Sequence, residues 1–490
     1  MTSSKSTKRA LISSTLAILM CVAMLIGTTF AWFTDTASTG VNKIVSGNLK
    51  VDIIGADSDS HIEKLNFTKA ATTDAEAGAE ILWEPGCRYL TEGFRIANKG
   101  NLALKWKAQV NTGTTAANEG NFDLLDVIDF YLVTKAADGT ETETALDEFT
   151  GNLKKTETSD VYYIKGVMQT TAGNDYQGLT LDGISITVVA TQDTVENDSF
   201  NNQYDKDAEY PILVTTGDQL QAAVNNATAP VNIVLTNSIT TNNFVIPADK
   251  DVTLDLNGRT VTNAGSHTIL NKGHLTLTDS SADKSGQIIS LKGNTAALRN
   301  GDNAVCVVEG GTISRDGANG NTWHVVENFG KMTFNGGKVV LKNGNGFAIT
   351  NGWNYFDPGA STTHAVMEIN ALELDTDSSG IKNCRYGDLT VNDVTVTSTG
   401  YWALSNDYLG TAVINGGTLT SNSFKAVSNG AAMTVNGGTF DGTEGLFVQS
   451  YATFTVLNGG TFANMNVDAL SSYVGTGHTA QQSGTSVIIK

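Results

Sequence analysis

The sequence predicts an all-β protein that consists of an N-terminal β-sandwich and a C-terminal right-handed parallel β-helix. Three observations favour this fold class. Apolar and polar residues alternate in the first half, asparagines recur at similar intervals in the second half, and glycine is abundant while proline is scarce, with 50 Gly and 5 Pro in 490 residues. Alternation is typical of half-buried strands, and glycine serves the tight turns between short strands.

The charge of the chain limits its partners. Charged residues make up 17% of the sequence, and the formal net charge is −19 at pH 7. Binding of nucleic acid depends on clustered Lys and Arg that neutralise phosphates, so we expect no nucleic-acid partner for a chain this acidic. Acidity keeps secreted proteins soluble, but it identifies neither a ligand nor a partner.

Residues 1–31 have the organisation of a signal peptide. Basic residues up to Arg9 precede an uncharged apolar run over residues 10–27, and Thr29-Phe30-Ala31 then offers a cleavage site before Trp32. The apolar run is also long enough to span a bilayer, which needs roughly 20 residues, so an uncleaved membrane anchor is the alternative. Cleavage between Ala31 and Trp32 predicts a secreted protein that contacts the membrane only before processing.

Two blocks of sequence resemble the TasA/camelysin family of secreted biofilm-matrix proteins of Gram-positive bacteria. The first, over residues 8–53, is KRALISSTLAILMCVAMLIGTTFAWFTDTASTGVNKIVSGNLKVDI, and the second is EPG at 84–86 followed by TEGFRIANKGNLA at 91–103. Cys87 departs from the polar residue that is usual there in the family. The resemblance covers about residues 1–205. It implies processing by a SipW-type signal peptidase and a jelly-roll-like sandwich over residues 32–205, followed by a linker at 206–212.

The same resemblance implies a mode of assembly. After cleavage the chain would begin with a short, β-prone tail that contains few charges. TasA-like fibres form by donor-strand exchange, in which such a tail adds to the sandwich of another subunit. We therefore expect other matrix-protein subunits as partners, including copies of this chain in a homopolymer. The alternative is that the tail pairs within its own domain or stays unpaired. The candidate donor-strand residues are Trp32, Phe33, Thr34, Asp35 and Thr36.

Residues 32–205 of this sequence do not favour protease activity, although some camelysin-like proteins have been described as metalloproteases. Zinc hydrolysis needs three protein ligands and a base, commonly in the motif HExxH. This part of the chain contains a single histidine, His61, and no such motif. We expect no metal site and no cofactor.

The segment 213–490 contains two interleaved series of repeats. Each repeat predicts one coil of a right-handed parallel β-helix of the pectate-lyase-like type, in which stacked asparagines form a hydrogen-bonded ladder and Gly-Gly turns provide positive φ angles. A multi-sheet sandwich is the alternative, but it does not require a regular period. The first series is Asn271, Asn300, Asn328, Asn351, Asn383, Asn406 and Asn429, with Tyr451 in the next position. The second series is Glu309, Asn335, Asn370, Asn392, Asn415, Asn436 and Asn458.

Both ends of the β-helix carry candidate caps. Thr216 and Gln219 fit a capping box at the start of a short helix, and residues 467–490 would cover the far end. The repeats also predict that Cys306 and Cys384 are free, buried thiols. They lie three coils apart, on the order of 14 Å, whereas the Cα atoms of a disulfide lie within roughly 7 Å of each other.

No pattern of catalytic residues emerges from the repeats. Hydrolysis of a polysaccharide needs paired carboxylates about 5–10 Å apart, and no acidic position recurs at one phase of the coils. We therefore expect no catalytic residues. Aromatic residues are better candidates, because sugar rings stack on exposed aromatic faces, although some of these side chains could be core packing. The candidate carbohydrate-binding residues are Trp353, Tyr355, Phe356, Tyr401 and Trp402.

Together these observations predict a secreted, non-enzymatic structural or adhesion protein of a biofilm matrix or cell surface. A TasA-like domain would assemble with other subunits, and the β-helix would display or bind extracellular or cell-wall polysaccharide. The alternative is a secreted polysaccharide lyase or glycoside hydrolase whose activity lies on the β-helix. A third hypothesis is that the protein is a purely structural spacer.

Overall fold

The computed structural model describes residues 48–62, 65–68, 81–111, 114–115, 122–146, 149–182, 185–193, 209–320, 322–353 and 363–490. The predicted signal peptide, its cleavage site between Ala31 and Trp32, and the donor strand at 32–36 lie outside these residues. No helix within them is both long and apolar enough to cross a membrane. Strands make up 48% of the structure and helices 6%, which confirms the all-β prediction.

The N-terminal part is an antiparallel β-sandwich. One sheet contains seven strands: Val51–Gly55, Phe67–Thr68, Arg88–Thr91, Phe94–Asn98, Ile128–Lys135, Glu141–Ala145 and Tyr162–Met168. The second sheet contains Leu104–Asn111, Phe149–Leu153 and Ser185–Gln192, and a two-stranded ribbon contains Thr114–Thr115 and Leu181–Asp182. Short 3-10 helices lie at Leu124–Asp126 and Asn174–Tyr176.

The core of the sandwich forms where the two sheets face each other. In the strand Leu104–Asn111, every second residue from Leu104 to Ala108 is buried, as the alternation in the sequence predicts. Trp106 is the largest of them, and its ring meets Phe149 edge-on at 5.6 Å. A Cβ atom at Gly151 would lie 2.7 Å from the Trp106 ring, so a side chain at position 151 would displace it.

The C-terminal part is a right-handed parallel β-helix of about 10 turns. Each turn, or coil, contributes one strand to each of three sheets, in the order I, II, III. Sheet I contains Ile212–Val214, Val231–Leu235, Asp251–Asp255, His274–Thr278, Val305–Val308, Lys331–Phe334, Ala365–Ile369, Gly387–Val391, Thr411–Ile414, Ala432–Val435 and Phe454–Leu457. Sheet II contains Ile239–Thr241, Thr260–Asn263, Gln287–Ser290, Thr312–Asp316, Lys338–Lys342, Glu373–Thr376, Thr395–Ser398, Thr418–Ser421, Thr439–Asp441 and Gly460–Phe462. Sheet III contains Val245–Ile246, Ile269–Asn271, Leu298–Asn300, Val326–Asn328, Phe347–Asn351, Ser379–Asn383, Leu404–Asn406, Val427–Asn429 and Leu446–Val448.

Helix α1 (Gly217–Asn226) lies against the first coils. Its N-cap is Thr216, whose hydroxyl accepts the N–H of Gln219 at 3.2 Å. The Gln219 side chain accepts the N–H of Thr215 at 2.8 Å, so the capping box is closed one residue earlier than the usual pattern. Leu220 and Val224 are buried in the core of the β-helix, so the helix covers apolar surface that the first coil would otherwise expose.

The far end is closed by helix α2 (Val467–Leu470), a 3-10 helix at Ser471–Tyr473 and a hairpin of Ala480–Ser483 and Ser486–Ile489. The second hairpin strand pairs with Gly460–Phe462 in the antiparallel sense, which ends the parallel stacking of sheet II. An uncapped edge would be a template for pairing with other chains, and the hairpin covers it.

Residues 49–490 form one compact unit, and polar contacts between described residues join the sandwich to the β-helix. The amide of Asn111 donates to the carbonyl of Thr236 at 3.2 Å, and the guanidinium of Arg259 donates to the hydroxyl of Ser185 at 2.9 Å. Burial lowers the pKa of Arg259. The sandwich therefore contacts the early coils, and the later coils carry the site described below.

Cys306 and Cys384 are free and buried, as the repeat geometry predicts. Cys306 stacks between Leu275 and Met332 in the core of sheet I. Burial raises the pKa of both thiols to about 12. Thiolates react and thiols do not, so a thiol reagent at neutral pH should label neither residue in the folded protein beginning at Trp32, and both after unfolding. Rapid labelling of either thiol in the folded state, measured by peptide mass spectrometry, would contradict this expectation.

Candidate functional site

The seven asparagines of the first repeat series form a buried column at the ends of the sheet III strands. The side-chain amide of each of the first six donates to the side-chain carbonyl of the asparagine in the next coil, over 2.7–2.9 Å, and the amide of Asn429 donates to the carbonyl of Phe454 and the hydroxyl of Thr455. The position after Asn429 in this column is Val448, so the assignment of Tyr451 to the column is wrong. Tyr451 instead lies beyond the strand and is 56% exposed.

The second repeat series forms a ladder at the turn between sheets I and II, which is exposed along most of its length. Here each asparagine donates to the preceding coil, over 2.7–2.9 Å, and the ladder ends on the carboxylate of Glu309. A carboxylate accepts hydrogen bonds and does not donate them. Glu309 therefore suits the end of the ladder, where only an acceptor is needed. Several glycines that follow have positive φ, including Gly337 at 92° and Gly417 at 97°, as the Gly-Gly pattern predicts.

Sheet III presents one outward side chain per coil, because its strands alternate between inward and outward residues. These outward residues form the floor of the candidate site. In order along the β-helix they are Leu270, Arg299, Glu327, Thr350, Lys382, Ser405, Ser428 and Phe447. The floor is flanked by two corners: the II–III corner, where the chain passes from sheet II to sheet III, and the III–I corner, where it passes from sheet III to sheet I.

A buried carboxylate occupies the floor in its early coils. Glu327 is 4% exposed, and its two oxygens accept from the guanidinium of Arg299 and from the indole N–H of Trp323, each at 2.9 Å. The Arg299 guanidinium also lies over the Phe329 ring, 4.5 Å from its centre. Both carboxylate oxygens therefore accept hydrogen bonds. Through these contacts Glu327 and Arg299 connect the floor to residues at both corners.

A fully buried arginine lies close to this carboxylate. Arg315 is on an inward position of sheet II and is 1% exposed. It donates to the carbonyl of Lys292 at 2.8 Å and to the hydroxyl of Ser290 at 2.6 Å. Burial lowers its pKa to about 10, and the nearby charge of Glu327 opposes that shift. Arg315 therefore remains a cation at neutral pH and contributes to the positive surroundings of Glu327.

Two histidines at the II–III corner cap the backbone of the following coil. Nδ1 of His267 accepts the N–H of Ala296 at 2.8 Å, and Nδ1 of His324 lies 3.2 Å from both the N–H and the carbonyl of Phe347. Burial lowers the pKa of both imidazoles below their ordinary value, and Glu327 opposes the shift. An accepting nitrogen carries no proton, so the hydrogen bond from Ala296 requires the neutral ring of His267.

These histidines predict a loss of stability on acidification. Their folded-state pKa values lie below the ordinary value of 6.5, so the unfolded state binds more protons as the pH falls below that value. Stability should be fully present above about pH 6.5 and decrease as the pH falls below that value. Thermal unfolding over this range should show a smaller decrease in Tm for His324→Gln than for the wild type. Identical pH profiles would exclude the contribution of His324.

The structure separates the predicted carbohydrate-binding residues into two corners. Tyr401 and Trp402 lie at the II–III corner, where Phe424 packs edge-on against Trp402 at 5.0 Å. Trp353 lies at the III–I corner; its ring is tilted against Phe329, with the ring centres 4.5 Å apart, and the side chain is only 9% exposed. Tyr355 and Phe356 lie outside the described residues. Tyr401 is 55% exposed, so among the three described members of the predicted set it is the most open to a ligand.

Aromatic residues recur along the III–I corner, which we call the aromatic corner. Its members are Phe329, Trp353, Tyr386, Tyr408 and Tyr451. Sequence reasoning missed Tyr386 and placed Tyr451 in the ladder, although each of the five follows the end of a sheet III strand by one to three residues. Four aromatic side chains are exposed among the described residues, and all lie at or just after these two corners: Tyr401, Tyr408, Tyr451 and Phe454.

The Lys and Arg residues of the later coils lie on the outward face of sheet III or at its corners. Between Lys342 and the C-terminal Lys490, the sequence contains only three Lys or Arg residues, Lys382, Arg385 and Lys425. Each lies over an aromatic ring: Lys382 over Phe347 at 5.1 Å, Arg385 over Tyr386 at 4.7 Å and Lys425 over Phe447 at 3.5 Å. Lys382 also pairs with Asp407 at 3.2 Å and Lys425 with Glu444 at 3.3 Å.

Two indole N–H groups on this face have no hydrogen-bond acceptor within the described part of the chain. They belong to Trp353 and Trp402, and both nitrogens are buried. Buried donors normally have a partner, but neither nitrogen is accessible at the surface, so a ligand could accept from them only after the surrounding side chains moved. The described residues contain no group of three or more His, Cys, Asp or Glu side chains that could hold a metal ion.

Comparisons with known proteins identify no family for this chain. No protein-family model matches the sequence, and no curated protein matches it. One similar solved structure is the catalytic domain of a GH87 α-1,3-glucanase variant in complex with tetrasaccharides, which is 11% identical, with 88% of this chain and 98% of that chain covered and a TM-score of 0.16. A likeness at that score supports no conclusion about fold or function.

Proposed function

We propose that this chain is a secreted structural and adhesion protein of a biofilm matrix or cell surface, and that its β-helix binds polysaccharide on the outward face of sheet III. One observation carries the binding proposal: the four exposed aromatic side chains of the described residues all border the last coils of this face. Pyranose rings have apolar faces and polar rims, so a site that binds them combines aromatic surfaces with a few hydrogen-bonding groups.

The groups beside these aromatic rings suit a ligand rich in hydroxyls. Tyr401 and Trp402 stand on one side of the floor and Tyr408 on the other, with the hydroxyl of Ser405 between them. The carboxylates that pair with the nearby lysines, Asp407 and Glu444, supply acceptors. Such groups could meet the hydroxyls on both edges of a sugar ring.

Affinity electrophoresis in gels that contain polysaccharides tests this proposal. The panel comprises cellulose and chitin derivatives, xylan, starch, polygalacturonate and teichoic acid, run with the protein beginning at Trp32. At least one polysaccharide should retard the wild type. The double variant Tyr401→Ala/Tyr408→Ala should bind it at least tenfold more weakly, because truncating an aromatic anchor costs roughly 1–3 kcal/mol. Leu291→Ala is the matched control, since Leu291 is 56% exposed but lies outside the aromatic corner. Equal retardation of the double variant and the wild type, or no retardation by the whole panel, would overturn the proposal.

We infer the secretion and assembly of the protein from its N-terminal sequence. The sandwich fold is compatible with a TasA-like domain, in which an edge strand accepts the tail of another subunit. Expression in a Gram-positive host that has a SipW-type peptidase should release a protein whose first residue is Trp32. Electron microscopy of that protein should show fibres that are lost when residues 32–36 are deleted. Retention of the full-length chain in the membrane, or monomers in both preparations, would contradict these two parts of the proposal.

The proposal takes the β-helix to be non-catalytic, against the alternative of a polysaccharide lyase or glycoside hydrolase. The buried acid of this face, Glu327, has both oxygens engaged by Arg299 and Trp323, whereas a glycosidase acid must reach the scissile oxygen and work with a second carboxylate. Incubation with the bound polysaccharide should release no reducing ends and no unsaturated products. Product release that Glu327→Gln abolishes would establish the enzyme instead.

A further inference from the structure

We infer that the ligand of this face is a neutral, linear polysaccharide in an extended conformation, which lies along the axis of the β-helix with about one sugar per coil. This inference rests on the proposed function and specifies the class of ligand. It follows from three features of the last four coils, whose sheet III strands end at Asn383, Asn406, Asn429 and Val448.

The first feature is the spacing of the aromatic corner. Adjacent coils stack at about 4.8 Å, and Tyr386, Tyr408 and Tyr451 belong to the coils of Asn383, Asn406 and Val448. The coil of Asn429 has no aromatic residue at this corner. The Tyr451 ring fills its place, because a Cβ atom at Gly430 would lie 2.8 Å from that ring. Four successive coils therefore present aromatic surface at one corner.

This spacing selects an extended chain. A ligand that contacts all four positions must place one sugar ring against each coil, and these rings must lie along a straight line. An extended, β-1,4-linked chain has a sugar repeat close to this spacing and stays straight. An α-1,4-linked chain curves, so it would leave the corner after one or two sugars.

The second feature is the width of the floor. In the last three coils the sheet III strands are three residues long, at Leu404–Asn406, Val427–Asn429 and Leu446–Val448. Only the middle residue of each faces outward, so the floor is one side chain wide. Trp402 and Phe424 rise at the II–III corner opposite the aromatic corner. A single chain fits between the two corners, and a branched chain or a layer of chains does not.

The third feature is the balance of charge. Both lysines of this face in the last coils have carboxylate partners, in the pairs Lys382–Asp407 and Lys425–Glu444, and Arg385 lies over the Tyr386 ring. The whole chain carries a net charge of −19. A polyanion would have to approach an acidic protein and compete with these carboxylates for the cations. A neutral glycan can use both members of each pair, with its hydroxyls donating to the acid and accepting from the lysine.

Titration calorimetry with oligosaccharides of defined length tests the inference. The probes are cello- and chito-oligosaccharides of two to six sugars, with maltohexaose and hexagalacturonate for comparison. In at least one neutral series, the affinity should rise about two- to tenfold with each sugar, as expected for one aromatic contact, and level off at about four sugars. Maltohexaose and hexagalacturonate should bind at least tenfold more weakly than the cello- or chito-hexasaccharide of the series that binds.

Single variants separate the positions along the corner. Tyr451→Ala should make the affinity level off at about two sugars, because its ring serves two coils, while Leu291→Ala should leave the series unchanged. A length-independent affinity, absence of binding by both neutral series, or tighter binding of maltohexaose or hexagalacturonate would overturn this inference. If the panel of polysaccharides still binds to the aromatic face in these cases, the proposed function stands. If no polysaccharide binds, both fail.

Discussion

Replacement of Asn383 by Ala is expected to lower the free energy of unfolding by about 3–5 kcal/mol. The Asn383 amide donates to the side chain of Asn406 at 2.8 Å and to the carbonyls of Gly387 and Thr411 at 2.8 and 3.0 Å. Its own carbonyl accepts from Asn351 at 2.9 Å. Alanine would leave several polar groups without partners in an interior that excludes water, and each such group costs about 1–3 kcal/mol.

The exposed ladder supplies a matched control for this prediction. Asn415 donates to Asn392 at 2.7 Å and accepts from Asn436 at 2.8 Å, but water can replace both partners. Asn415→Ala should therefore cost less than about 1 kcal/mol. Urea unfolding followed by circular dichroism gives both values, and hydrogen exchange should show the loss concentrated in the coils from Asn351 to Asn406. Equal destabilisation by the two substitutions would show that burial does not account for the contribution of the asparagine column to the free energy of unfolding.

The substitution Glu327→Leu is expected to cost about 3 kcal/mol. It removes the charge that pairs with Arg299 at 2.9 Å and that interacts electrostatically with the buried Arg315, and it leaves the Trp323 indole without its acceptor. Removal of the carboxylate leaves a cation whose desolvation is no longer offset. This penalty exceeds the stabilisation that the ion pair provided. The II–III corner around Trp323 should become more mobile as a result.

The substitution Glu327→Gln separates charge from hydrogen bonding at this position. Glutamine keeps an acceptor for Trp323 and a similar shape, so it should cost about half as much as leucine. Urea unfolding of both variants and the fluorescence of Trp323 would measure the two effects. A cost below about 1 kcal/mol for leucine would mean that the early coils do not depend on this buried carboxylate.

The repeat architecture is predictable from this sequence because its physical basis is local. Seven of the nine described sheet III strands end on an asparagine, and glycines occupy several turns where φ is positive, so those residues recur in the sequence. Tyr451 was misplaced because the last coil is shorter, with 19 residues from Asn429 to Val448 against 23 from Asn406 to Asn429. Equal spacing therefore places the marker a few residues too late, and only the strand register reveals Val448 as the true neighbour.

The candidate site was only partly predictable. Exposed aromatics such as Tyr401 stand out as isolated residues, but which of them share a face depends on how the corners stack. Glu327 and Arg299 give no signal in the sequence, because 28 residues separate them and their contact exists only after two coils align. The order of strands in the sandwich was unpredictable for the same reason: alternation identifies Leu104–Asn111 as a strand, but its neighbours, Phe149–Leu153 and Ser185–Gln192, are distant in sequence.

A crystal structure of the protein beginning at Trp32, grown with the oligosaccharide that binds most tightly, is the most direct measurement of where this protein meets its ligand. We predict sugar rings stacked on Tyr408 and Tyr451, between the two corners of sheet III. Sugar density over sheet I, sheet II or the sandwich, with the sheet III face empty, would contradict the central claim.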